Sequence, residues 1–217
     1  MHRFYCRFAA SLLALFQILA CGCDPKADPG RPATAPPPQA QAEGTPPATQ
    51  TKEKTMQLIG PFSDGAVIDK QYSGEGPDRS PALKWSGAPA GTQSFLVICD
   101  DPDAPSPRRP AKTPWVHWVI YNIPPQSTSL PEGLPRDAQP QEMPGATQGR
   151  NSWDRDNVGY RGPMPPPGSG AHRYFFRIYA LDTQLNVAPD QATKDAVLQA
   201  ASGHILAEGQ LVGKYER

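Results

Sequence analysis

At 217 residues the chain has room for one or two domains, and its formal net charge of zero leaves no global field to draw in nucleic acid. Short basic pairs such as Arg108-Arg109 read as solvated loop, so nucleic acid is not expected as a partner. Four cysteines and 28 prolines in one chain argue for long stiff connections rather than a disulfide framework.

The first predicted element is a leader. Arg3 and Arg7 precede an apolar run over residues 8–20, interrupted only by Ser11 and Gln17. The run falls short of the roughly 20 apolar residues that cross a bilayer, and it reads as a secretory signal peptide over residues 1–22. The next residues, Leu19-Ala20-Cys21-Gly22-Cys23-Asp24, resemble a bacterial lipobox. Cys23 is favoured over Cys21 as the lipidated residue, because Gly22 is small and Leu19 lies upstream. A lipid on Cys23 would anchor the protein to a bacterial membrane, facing the periplasm or the outside. By analogy with enterobacterial sorting, Asp24 favours the inner membrane. Residues 23–55 are rich in Pro, Ala, Thr and Gln and hold too few large apolar side chains to offset the entropy of ordering them. They are expected to form a disordered tether.

From residue 56 to 217 the pattern becomes that of one domain, with short apolar runs between turn residues. Residues 94–99 (S-F-L-V-I-C), 115–123 (W-V-H-W-V-I-Y-N-I), 174–181 (Y-F-F-R-I-Y-A-L) and 210–215 are β-branched and aromatic, and predict strands. Residues 193–202 break the rhythm with helix formers, apolar positions at Val197, Leu198 and Ala201, and Gly203 as a stop. Cys99 is the one cysteine within the domain and is expected to be a small buried hydrophobe.

Two clusters could carry chemistry. Asp100-Asp101-Pro102-Asp103-Ala104-Pro105 closes the S-F-L-V-I-C run and is followed by His117-Trp118. The second cluster runs from Gly159 through Gly162-Pro163 and Pro165-Pro166 to His172-Arg173-Tyr174. D-P-D-A-P with a later H-W, then G-Y-R-G-P-M-P-P-P-G-S-G-A-H-R-Y-F-F-R-I-Y-A-L-D, resemble the two signature regions of the phosphatidylethanolamine-binding (PEBP, Raf-kinase-inhibitor-like) family. Ser80-Pro81-Ala82-Leu83-Lys84-Trp85-Ser86, Asn122-Ile123-Pro124, Gly149-Arg150-Asn151 and the closing G-H-I-L-A-E-G-Q-L-V-G-K-Y extend the resemblance, which follows the bacterial branch of the family.

That resemblance implies a mostly β fold, a PEBP-like antiparallel β-sandwich of two sheets with one or two short helices. It also implies a pocket for a small anion (phosphate, phosphoethanolamine or carboxylate), built from Asp101, Asp103, His117, Gly162, Pro163, His172 and Tyr174. A cis Ala104-Pro105 bond is implied too. Two imidazoles and a tyrosine hydroxyl can donate to anion oxygens, and glycine lets backbone N–H groups approach. The aspartates would repel an anion, so they are assigned to orienting His117 or His172 and the Gly162 loop. A nearby aspartate would also raise a histidine's pKa. Arg173 should point to the opposite face by strand alternation.

No cofactor or metal is implied, although two histidines and two aspartates would suit zinc or iron. The partner classes are a small anionic ligand, the membrane through the lipid anchor, and a protease or kinase. The competing reading is an acid–base enzyme, an isomerase or hydrolase, using the same pocket. A nucleophilic serine is not expected, since no G-x-S-x-G motif is present. Animal members of the family carry a further C-terminal helix with a tyrosine over the pocket. Here the sequence stops at Tyr215-Glu216-Arg217, so their lipid specificity and kinase-inhibitor role are not implied.

Overall fold

The computed structural model describes residues 54–153 and 158–217; the expected leader, the lipidation site and nearly all of the tether lie outside the described residues. Among the described residues nine strands form: β1 (Lys54–Thr55), β2 (Gln57–Ile59), β3 (Leu83–Ser86), β4 (Ser94–Asp101), β5 (Trp115–Ile123), β6 (Ser129–Leu130), β7 (Thr147–Gln148), β8 (His172–Leu181) and β9 (Ile205–Tyr215), with one α-helix, α1 (Lys194–Ala201). A six-stranded sheet runs in the order β1-β9-β8-β4-β5-β7, and a three-stranded sheet runs β2-β3-β6.

The mostly β, two-sheet expectation holds, with a single α-helix. One pairing departs from the antiparallel pattern. β1 lies parallel to β9, with Lys54 opposite Ala207 and Thr55 opposite Glu208. This ladder corrects the tether boundary, because the last two residues of the expected tether already belong to the sheet.

Period-two alternation sorts the large sheet into two faces. On β4, Phe95, Val97 and Cys99 enter the core between the sheets, where they meet Leu83 and Trp85 of β3. Leu96 and Ile98 point the other way, toward Val197 and Ala201 of α1. Both faces of β4 are thus covered, which is why its sequence reads as an unbroken apolar run instead of an alternating one. Each such buried aliphatic side chain contributes on the order of 2 kcal/mol.

α1 is capped by Thr193, whose hydroxyl accepts the Ala196 N–H at 3.2 Å, and it is followed by Gly203 at φ 82°. Its first residue, Lys194, pairs with the buried Asp100 carboxylate, which also holds Arg177 at 2.7 Å. The helix is therefore clasped to the sheet by an ion pair as well as by apolar packing.

One irregularity matters for the site. Between β4 and β5, Cys99 faces Trp118 while the next residue, Asp100, faces Val116. His117 is the extra residue of a β-bulge. Bulges bend a strand and re-aim a side chain; here the re-aimed side chain is an imidazole.

Candidate functional site

The core between the sheets opens into a cleft of about 370 Å³, at the end where β4 finishes and β5 and β8 begin. Alternation along β8 puts His172, Tyr174 and Phe176 on the inner face. Phe176 fills the core, whereas His172 and Tyr174 line the cleft. Asp101 from β4 and His117 from the bulge complete the polar floor.

His172 is fully buried and held at both ring nitrogens. Its Nδ1 lies 2.7 Å from Asp101 Oδ2, and its Nε2 lies 3.0 Å from the Ser169 hydroxyl. The second Asp101 oxygen accepts the Asp103 N–H at 2.7 Å. Burial pushes the Asp101 carboxyl above its usual range, opposed by its hydrogen bond to His172.

His117 is anchored differently. Its Nδ1 stands 2.6 Å from the Arg161 carbonyl oxygen. A carbonyl only accepts, so Nδ1 carries the proton and the lone pair sits on Nε2. Burial pushes the His117 pKa down to about 4, despite the favourable Arg161 carbonyl. The ring meets Trp153 and Tyr174 edge-on, with centroids 4.8 and 5.0 Å apart. The Tyr174 hydroxyl is buried with no hydrogen-bond partner among the described residues, and burial raises its pKa. Unpaired buried hydroxyls are costly and call for a partner.

The walls are apolar. Trp115, Trp153, Met164, Pro165 and Pro166 line the cleft, together with Ala104, Pro105 and Ala111 from the loop after β4. The Ala104-Pro105 bond is cis. Trp115 and Met164 are exposed at the mouth, at 41% and 46%.

Of the seven residues expected in the pocket, Asp101, His117, His172 and Tyr174 come together around the cleft, while Asp103, Gly162 and Pro163 do not line it. Asp103 turns outward to a bidentate pair with Arg173, Nε to Oδ2 and Nη2 to Oδ1 both at 2.8 Å. That guanidinium draws the Asp103 carboxyl below its ordinary range. Arg173 does face outward as alternation requires, and Asp103 follows it.

The Gly162 N–H is already donated to Asp78 Oδ1 at 2.6 Å, so it has no proton to offer a ligand. A Cβ on Gly162 would stand 2.0 Å from the Tyr72 carbonyl oxygen, which makes the glycine a packing requirement. Pro163 uses its carbonyl to accept the Gly74 N–H at 2.9 Å.

One assigned role is also corrected. The carboxylate that orients the Gly162 loop is Asp78, which has φ 57° and also pairs with Arg136 and Arg161. Of the two rings, Asp101 orients His172, as expected for one of them, while a backbone carbonyl orients His117 and burial lowers the His117 pKa. Sequence reasoning missed Asp78, Ser169, Trp115, Trp153 and Met164. Only Ser169 carried a local signal, lying three residues before His172. Among the described residues, no group of three or more His, Cys, Asp or Glu is placed to hold a metal ion.

A family model for phosphatidylethanolamine-binding proteins matches residues 59–216. The chain belongs to the phosphatidylethanolamine-binding protein family. A UPF0098 protein of Methanothermobacter thermautotrophicus is 48% identical over 156 residues, covering 72% of this chain and 95% of the relative. Among solved structures, a PEBP homologue from Chlamydia trachomatis aligns with a TM-score of 0.64 at 38% identity, over 76% of this chain and 99% of that one. Escherichia coli YbcL, described as a member of the mammalian PEBP family, aligns at 0.66 and 32% identity, over 75% and 98%. The matched region includes both strands and loops of the cleft, so the site lies within the part of the chain shared with PEBP relatives.

Proposed function

We propose that this PEBP-family protein is a ligand-binding module that takes a small acidic head group, a phosphate monoester or a carboxyl, in its protonated form. The ligand's apolar substituent lies toward Trp115 and Met164. The module is carried at a bacterial membrane by a lipid on Cys23 and the tether that follows. The observation that carries this reading is the Tyr174 hydroxyl, buried at the cleft without a partner among the described residues. It supplies a donor for a ligand oxygen, and His117 Nε2 supplies an acceptor.

That pairing selects a protonation state. A fully ionised phosphate monoester has no proton for the His117 lone pair, whereas its monoanion has one P–OH. The nearby Asp101 carboxylate opposes a second ligand charge as well. Binding of phenyl phosphate should therefore strengthen as pH falls from 8 toward 6, through the second phosphate ionisation near 6. Titration calorimetry on the full chain tests this. Tyr174→Phe should weaken binding about tenfold or more, as expected for losing a hydrogen bond to a charged group. Equal affinity in the variant and the wild type would remove the basis of the reading. The anchor is checked separately, by the mass of the mature N-terminal peptide.

A further inference from the structure

We propose that Asp101, His172 and Ser169 form a nucleophilic triad at the edge of the cleft, which Asp101 and His172 line and Ser169 adjoins through His172, and that this triad hydrolyses small carboxylic esters. Nδ1 of His172 is 2.7 Å from Asp101 Oδ2, and Nε2 is 3.0 Å from Ser169 Oγ. A hydroxyl within reach of a base that is itself oriented by a third group is the signature of an activated serine on unrelated folds.

The supports of this relay are also present. The other Asp101 oxygen is fixed by the Asp103 N–H at 2.7 Å, so the carboxylate cannot swing away. The His172 side chain is fully buried, which keeps bulk water from weakening the relay. Ser169 is half-buried on the loop entering β8, with its N–H donated to the Pro166 carbonyl at 3.1 Å. The missing G-x-S-x-G motif does not count against it, because that motif serves a strand-to-helix elbow. Here a loop delivers the hydroxyl, three residues before the base.

The reaction follows from these positions. Ser169 Oγ attacks the ester carbonyl carbon as its proton passes to His172 Nε2, and the carbonyl π pair moves onto oxygen. The Tyr174 hydroxyl is the donor for that oxyanion, in the role usually taken by preorganised N–H groups. Collapse breaks the bond to the alkoxy group, which leaves as an alcohol with the proton from His172. Water then attacks the acyl-serine, again giving its proton to His172, and Ser169 regains it as the acid leaves. The sum is ester plus water to acid plus alcohol. Trp115 and Met164 favour an apolar acyl or alcohol part. The inference rests on the cleft described above, but not on its affinity for phosphate.

The test is labelling of the full chain with a short-chain alkyl fluorophosphonate, in which an Oγ–P bond forms and fluoride leaves. Peptide mass mapping should place one adduct on Ser169. The adduct should vanish in Ser169→Ala and form at least about 100-fold more slowly in Asp101→Asn, where the amide no longer holds the productive tautomer. Hydrolysis of p-nitrophenyl butyrate should fall in parallel. Folded wild type left unmodified at Ser169, or Asp101→Asn labelled at the wild-type rate, overturns the proposal. If Asp101→Asn does not fold, the position of the wild-type adduct decides: Ser169 supports the triad and any other residue overturns it. Phenyl phosphate binding without Ser169 labelling removes the triad alone, and labelling without phosphate binding removes the acid-binding reading alone.

Discussion

His117 and His172 illustrate how far identical side chains diverge in one cleft. His172 is clasped by a carboxylate and a hydroxyl, whereas His117 leans on a carbonyl in an apolar, aromatic setting. The His117 imidazole has a folded pKa of about 4 against an ordinary value of 6.5. Between those limits the unfolded chain binds the extra proton. Stability from this group is therefore complete above about pH 6.5, declines as pH falls, and levels off below about 4. The total is on the order of 3 kcal/mol for this fully buried ring. Asp101, with its raised pKa, works in the opposite direction. His117→Gln keeps a donor for the Arg161 carbonyl but cannot titrate. Urea unfolding from pH 7 to 4 should show a shallower loss in that variant than in the wild type. Parallel profiles would mean that His117 is not the titrating group. At this scale, residue types were legible and partners were not. D-P-D and the two histidines stood out, yet Asp78 lies 84 positions from the Gly162 N–H it holds. Nothing local in sequence announces such a pair.

Elements were legible in proportion to their length and apolarity. The run over residues 115–123 matches β5, and Thr193 and Ser202 prove to be the caps of α1. β8 begins two residues before the expected Tyr174, because His172 and Arg173 continue the ladder opposite Tyr215 and Lys214. β9 begins at Ile205, well ahead of the expected residue 210, since its early residues pair with the far end of the long β8. β2, β6 and β7 are two or three residues long and leave too little periodicity to read. The His117 bulge was invisible for a related reason: it arises from the register of two strands, not from the residues of one. The loop carrying Gly162 shows how connection and site depend on each other. Gly162→Ala would drive a Cβ into the Tyr72 carbonyl and break the fit of the loop that holds the His117 ring through Arg161. A cost of about 3 kcal/mol or more is expected in urea unfolding, since backbone on both sides prevents simple relaxation. A change below about 1 kcal/mol would show that the loop yields easily.

At the scale of the whole molecule, the central strand β4 reports on the integrity of the domain. Cys99 sits there at 1% exposure, and burial drives its thiol pKa well above the ordinary range. A thiol so placed reacts only when the sheet opens. Alkylation of Cys99, followed by peptide mass, should rise with urea along the same curve as tryptophan fluorescence. Labelling well below that transition would point to local opening of β4. The two-layer arrangement was legible because resemblance supplied it. The apolar runs alone established a β-rich domain but not which strands pair.

The parallel pairing of β1 with β9 bears on how the mouth meets its surroundings. Lys54 lies beside Ala207, whereas the cleft opens near Tyr215, opposite His172. The intervening stretch of β9 spans roughly 27 Å at strand spacing. Lys54 thus enters the sheet at the end of β9 remote from the cleft mouth, so a substitution at β1 leaves the strand ends that carry His172 and Tyr215 untouched.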